Sequence, residues 1–358
     1  MHHGLYVHIP FCDAKCSYCD FVTFVGLNDQ IDRYLKALEI EASSYNEAID
    51  TLFIGGGTPS VLSPIQIDQL FQGLKKSFDF APLKEATVEM NPESATEEKF
   101  LAFKKNGINR ISFGLQATQN AILSHINRLH SYETFLKAYS LARKLGFYHL
   151  NIDLILGLPH QTLKDWENTL TEIIQLNPEH ISTYALKVEP NTDLGKNHFE
   201  CDSDLQADMY LMASEKLISA GYEHYEISNF SKPGRASLHN LKYWKNEPTV
   251  GLGVSATGYL GKKRRKNTPR LPEYLNSLEK GEKVPQEIFE LSDYETEKEF
   301  FLLGLRLKEG VSYEKLMTYQ IPKVKDFLKA NLAEVDKGRF KLKPAGWLLS
   351  NQLFSELV

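Results

Sequence analysis

Cysteine is scarce in this chain, four among 358 residues, and its placement is uneven: Cys12, Cys16 and Cys19 sit together and only Cys201 lies elsewhere. Three crowded thiols cannot all pair, which argues against a disulfide role, and cysteines used this way point to a reducing compartment. No apolar run approaches the ~18 residues of a membrane span. The opening Met1-His2-His3-Gly4 leaves no room for a signal peptide before the first expected strand, so a cytoplasmic location is expected. A formal net charge of -5 gives no electrostatic case for nucleic acid. The one glycine-rich turn, Gly55-Gly56-Gly57-Thr58-Pro59, is followed by no lysine, which excludes a P-loop.

Hydrophobic residues at 42% and charged ones at 24% are ordinary for a globular protein with a sizeable core, and the length suits two domains or one barrel with an appendage. Short β-rich runs at 5–10, 51–54, 86–90, 110–113, 151–156 and 181–186 alternate with amphipathic stretches at 29–45, 64–78, 96–105, 132–145 and 163–175. That order predicts a parallel sheet with crossover helices, an α/β fold with a partial (β/α)6 barrel. A helix at 204–220 and a strand at 223–227 extend it. We place the barrel in residues 1–230, a connecting region in 231–285, and in 286–358 a winged-helix-like α+β appendage with helices at 293–307, 313–319 and 323–330, a strand at 339–342 and a last helix from Gly346. Glu295, Glu297, Glu299, Glu309 and Glu314 make that appendage a poor nucleic-acid binder.

The C-x3-C-x2-C spacing lets one loop wrap three thiolates around an inorganic centre. A cube that takes four cysteines would keep one iron open here; the alternative is a zinc ion with His8 or Cys201 as fourth ligand. In parallel barrels the chemistry sits on the loops after the strands. Those loops carry the cysteines, the glycine turn, Glu89, Gln116 and Asp153, with Arg128 within reach. The glycine turn either brings backbone N–H groups close to a ligand or is a plain tight turn. One shared ligand explains these rim residues together, carboxylates suiting ribose hydroxyls and arginine a carboxylate.

The triplet, with Tyr18 before its last cysteine, resembles the radical S-adenosylmethionine (SAM) superfamily. That resemblance implies a [4Fe-4S] cluster on Cys12, Cys16 and Cys19, with SAM on the open iron. Tyr6-Val7-His8-Ile9-Pro10-Phe11-Cys12, Gly55-Gly56-Gly57-Thr58-Pro59, Ser112-Phe113-Gly114-Leu115-Gln116 and Asp153-Leu154-Ile155-Leu156-Gly157-Leu158-Pro159 narrow it to the oxygen-independent coproporphyrinogen III oxidase-like group. The resemblance implies that Tyr6, Tyr18, Gly56 and Glu89 contact SAM, that Thr257 closes this site, and that Gly57, Thr58, Gln116, Arg128, Asp153 and Ala185 hold a second SAM or one differently placed ligand. Two departures from the oxidases, Phe21 in place of a fourth cysteine and the missing N-terminal extension, match a sister group of heme chaperones.

His239-Asn240-Leu241-Lys242-Tyr243-Trp244 resembles those chaperones' heme motif, with His239 able to ligate iron and Tyr243 and Trp244 to cover a porphyrin; the plain alternative is a packed turn. The resemblance therefore implies a protein that binds heme and transfers it to an apo-hemoprotein acceptor. The alternative is a radical decarboxylase converting coproporphyrinogen III to protoporphyrinogen IX. Lys262-Lys263-Arg264-Arg265-Lys266 is expected to be a solvated loop, with peripheral contact to anionic lipid as the alternative, and Cys201 an incidental residue of an exposed loop.

Overall fold

The alternation of side chains along six strands generates the architecture. In the computed structural model, which describes residues 2–316 and 320–357, β1 (His3–Ile9), β2 (Ile49–Gly56), β3 (Glu85–Met90), β4 (Arg110–Gln116), β5 (Leu150–Leu156) and β6 (His180–Ala185) lie side by side in chain order. Each is parallel to the next. Leu5, Val7, Ile9, Leu52, Ile54, Val88, Ile111, Phe113, Ile152 and Leu154 are wholly buried in the main core, each fully buried Leu, Ile or Val stabilising the fold by about 1.5–3 kcal/mol. The residues between them point to the other face, which is polar: Thr87, Glu89, Arg110, Ser112, Asn151, Asp153 and Ser182. A parallel sheet covered on both sides reads as continuous apolar runs; this one alternates because its concave face lines a cavity.

The crossovers run through α1 (Ile31–Ala42), α2 (Pro64–Ser77), α3 (Glu97–Lys105), α4 (Asn120–His125), α5 (Tyr132–Lys144) and α6 (Leu163–Leu176). Their starts are set locally. Ser63 and Gln66 form a capping box on α2 and Thr162 and Asp165 another on α6, while the Ser131 hydroxyl accepts from Thr134 N–H on α5, each cap being worth about 1 kcal/mol. On α6, Trp166 is wholly buried and donates its indole N–H to the Met209 carbonyl at 2.8 Å. That bond ties α6 to α7 (Ser203–Ser219). Beyond α7 the sheet is extended by a hairpin, β7 (Glu223–Glu226) and β8 (Asn229–Ser231), with β8 antiparallel to β6.

The opposite edge departs from expectation. After α8 (Leu238–Trp244), β9 (Thr249–Leu252) pairs parallel to β1, and β10 (Thr257–Leu260), β11 (Lys263–Asn267) and β12 (Gln286–Glu290) follow antiparallel, completing a 12-stranded sheet. The basic run expected as a solvated loop is therefore a strand. Backbone pairing to both neighbours holds it, and in place of apolar alternation its basic side chains are ion-paired: Lys262, just before it, with Asp293, Lys263 with Glu290 at 3.3 Å and Arg264 with Glu299 at 2.6 Å. Three of the run's five cations are thus paired within the chain, while Lys266 is exposed.

The remaining chain packs helices Asp293–Gly304, Ile321–Lys329, Pro344–Leu348 and Ser350–Leu357 around a small antiparallel sheet of Val311–Ser312, Arg339–Leu342 and Ala333–Asp336. The helix expected at 313–319 is, in its described part, a single 3-10 turn at Tyr313–Lys315; residues 317–319 lie outside the described residues. Among the described residues no helix is long and apolar enough to cross a membrane.

Candidate cluster and cofactor site

The loop after β1 is closed at its base by a short parallel pairing of Phe11–Cys12 with Phe24–Val25. The Cys19 N–H turns back onto the Cys16 carbonyl at 3.1 Å, and Ser17 N–H is anchored on the Ile126 carbonyl at 3.1 Å. All three cysteines thereby face a cavity of about 330 Å³ inside the barrel. Of the expected site residues, Tyr18, Gly56, Gly57, Thr58, Glu89, Gln116, Arg128, Asp153 and Ala185 also line it.

The glycine turn, whose Gly56 and Gly57 line the cavity, also shapes the loop beside it. Gly57 N–H donates to the Ile9 carbonyl at 2.9 Å and Thr58 N–H to the Phe11 carbonyl at 2.8 Å, so the turn grips the strand that leads into the cysteines. A Cβ on Gly57 would stand 2.7 Å from the Ile9 oxygen, and Gly56, at φ +108°, would drive one to 2.2 Å from Nδ1 of His8. The third N–H, of Gly56, is taken by Glu89 Oε2 at 3.0 Å. The donors expected to meet a ligand are thus engaged within the protein.

Two side chains act on the sulfurs. The Thr58 hydroxyl donates to Cys12 Sγ at 3.2 Å, and Arg128 Nη1 donates to Cys16 Sγ at 3.4 Å while Nη2 donates to Asn91 Oδ1 at 2.8 Å and to the Gly114 carbonyl. Burial pushes the Cys12 thiol up, against the Thr58 hydroxyl, and pushes Cys19 up to about 11. A bound metal reverses that preference, since it binds the thiolate and releases the proton. Deeper in, burial and then the neighbouring Asp153 push Glu89 up to about 7. Asp153 is itself raised by burial although it accepts from Ser112 and Asn151, each at 2.9 Å.

The donor set fits an iron–sulfur cube with a free corner: three sulfurs on one loop, two of them hydrogen-bonded, facing open space. The zinc alternative has less support. Both ring nitrogens of His8 are engaged, with the Tyr6 hydroxyl and the Val22 carbonyl, each at 2.9 Å, and Cys201, half-buried, donates its S–H to the Leu186 carbonyl at 3.4 Å. Among the described residues no group of three or more His, Cys, Asp and Glu side chains closes into a single-ion site.

Tyr6 and Thr257 stand apart from the cavity lining. Tyr6 packs its ring 6.3 Å from that of Phe53, and Thr257 is exposed at the start of β10. The H-N-x-x-Y-W string is α8, and it closes the barrel at the end opposite the cysteines. Glu85, the first residue of β3, accepts from Ser237 Oγ and from the N–H groups of Leu238 and His239. His239 is wholly buried, its Nδ1 bonded to the Thr51 hydroxyl at 2.9 Å and its Nε2 to the Tyr243 hydroxyl at 3.0 Å. Burial, aided by Lys242 and Arg110, pushes its pKa down to about 3. Trp244 turns toward the C-terminal region, where Arg306 lies 5.3 Å from its ring and 5.3 Å from that of Phe354. The string is thus packed as the barrel floor, nearer to the plain packed alternative than to an imidazole open to iron, and only Asn240 of it reaches the cavity.

Arg110, Ser112, Asn151 and Ser182 also line the cavity, and the sequence reading missed them as site residues. The signal was present: Arg110, Ser112, Gly114 and Gln116 alternate with buried apolar residues, and a polar alternate face in a parallel strand implies a hollow interior.

The sequence profile described as the Radical SAM superfamily matches residues 6–173. The protein named heme chaperone HemW of Bacillus subtilis (strain 168) is 36% identical over 99% of this chain and 98% of its own length. Its namesake in Mycobacterium tuberculosis (strain ATCC 25618 / H37Rv) is 32% identical over 99% and 94%. Among solved structures, coproporphyrinogen III oxidase (HemN) from Escherichia coli, described as a radical SAM enzyme, superposes with a TM-score of 0.87 at 23% identity, covering 99% of this chain and 90% of that one, a likeness of fold. Motifs, barrel and end-to-end identity agree: the chain belongs to the HemW family of radical SAM proteins.

Proposed function

We propose that this protein is a heme chaperone that binds heme and hands it to an apo-hemoprotein, and that it carries a SAM-binding [4Fe-4S] cluster on Cys12, Cys16 and Cys19. The observation that carries the reading is the end-to-end identity with relatives named heme chaperones. When bound, the cluster supplies an iron open to SAM and an electron. The chain's own residues prepare its seat. Thr58 and Arg128 donate to the sulfurs and stabilise the thiolates, and Gly57 lets the turn close on the cysteine loop. Glu89, Gln116 and Asp153 offer the polar face on which SAM is oriented, with Tyr18 and Ala185 beside them.

The test is made on anaerobically reconstituted protein. About four irons per chain and a reduced-state spectrum that SAM perturbs are expected, both lost in Cys16→Ala, together with heme uptake and its release to an apo-acceptor. Repeated conversion of coproporphyrinogen III to protoporphyrinogen IX by the purified protein would overturn the chaperone assignment in favour of the decarboxylase.

A further inference from the structure

The buried, doubly bonded His239 leaves open which imidazole this chain offers to a metal. Two histidines on the cysteine-bearing rim of the barrel are exposed and touch each other. The rings of His125, the last residue of α4, and His160, in the turn after β5, have centroids 4.7 Å apart and planes inclined by 57°. We propose that His125 and His160 form a two-imidazole site for a transition metal beside the cysteine loop, occupied by a free divalent ion or, through one ring, by heme iron. The heme occupant rests on the chaperone assignment above; the ion does not.

Three features besides proximity prepare the pair. Nδ1 of His125 lies 2.7 Å from the Ala121 carbonyl, and a carbonyl only accepts, so Nδ1 holds the proton. The neutral ring then presents its lone pair at Nε2. Metal-binding histidines are commonly fixed in this way by a carbonyl on the other nitrogen. His160 is held at φ +63°, an uncommon conformation for a residue with a side chain. A rigid turn fixes it there: the buried Gln161 carboxamide accepts from Gly157 and Leu158 N–H and donates to the Ile155 carbonyl. Finally, the site is joined to the cluster loop, because Ser17 donates its hydroxyl to the His125 carbonyl and its N–H to the Ile126 carbonyl. Two nitrogens on one ion stand at most about 4.2 Å apart, a span close to the 4.7 Å between these ring centroids. Imidazole suits zinc, copper, nickel and iron alike.

The experiment uses cluster-reconstituted, untagged full-length protein and the variants His125→Ala/His160→Ala, His198→Ala, an exposed lone histidine, and His239→Ala. Zinc is followed by equilibrium dialysis and hemin by the Soret band. In the double variant, zinc binding weakened by on the order of 10-fold or more identifies an ion site, and a shifted Soret band with weakened hemin binding identifies a heme-iron site. His198→Ala should change neither. Thermal melts of the double variant should match the parent, both side chains being exposed. The proposal is overturned if the double variant keeps both affinities and the Soret position, or if His198→Ala lowers them equally. Hemin binding that survives the double variant but is lost in His239→Ala overturns the heme occupant while sparing the chaperone assignment. Failure of the parent to bind hemin at all removes both of these and leaves the zinc result to decide the site.

Discussion

Nε2 of His239 and the hydroxyl of Tyr243, one helical turn apart, are hydrogen-bonded to each other at 3.0 Å, so two residues of the H-N-x-x-Y-W string satisfy one another inside the barrel floor. Removing one partner of a buried pair costs more than the bond itself contributes, because the survivor is left desolvated. His239→Ala should therefore lower unfolding free energy by about 2–4 kcal/mol, with Thr51 and Tyr243 both orphaned, and Tyr243→Phe by about 1 kcal/mol. Urea unfolding of both variants measures this. An unchanged midpoint in His239→Ala would show that the ring is not engaged in solution and would return it to candidacy as the iron ligand.

Arg128 joins Cys16 to Asn91 and Gly114. Hydrogen bonds to charged groups contribute about 1.5–3 kcal/mol, so Arg128→Gln should speed iron loss to a chelator and weaken the SAM-induced spectral change by about 10-fold or more. Arg128→Lys should rescue little, since a single ammonium cannot fork between sulfur, amide and carbonyl.

Gly56→Ala sets a Cβ 2.2 Å from His8 Nδ1 in a backbone conformation, φ +108°, that L side chains rarely adopt. The expected cost is about 2–3 kcal/mol or more. The turn should release its grip on the loop entering Cys12, which would appear as substoichiometric iron after reconstitution even in variant protein that still melts cooperatively.

Glu41, Glu89 and Glu226 are each pushed up to about 7 by burial, from an ordinary value of 4.5. Between those two values the folded chain holds protons that the unfolded chain has released. Stability is therefore fully present below about pH 4.5, falls as pH rises to about 7, and is level above. Glu226→Gln, which keeps shape and removes the charge, should make this fall shallower and raise unfolding free energy at pH 8 by about 3 kcal/mol, with little change at pH 4.5. A parallel pair of pH profiles for parent and variant would refute this.

The sequence by itself determined the cysteine triplet, the six parallel strands with their helices, and the polar residues after strands β1 to β6, because all of these follow from local spacing and from periods of two and 3.6 residues. It did not disclose β9 to β12. Lys263–Asn267 has no apolar alternation and is a strand because Thr257–Leu260 and Gln286–Glu290 pair with it on either side, with Glu290 and Glu299 answering Lys263 and Arg264. Nor did it disclose the place of His239. A histidine beside a tyrosine and a tryptophan reads alike on a surface or in a core, and only the arrival of Thr51, Phe53 and Glu85 at the same end of the barrel decides for burial. The pairing of His125 with His160 arises in the same way, from two separate loops that the closing of the barrel sets side by side.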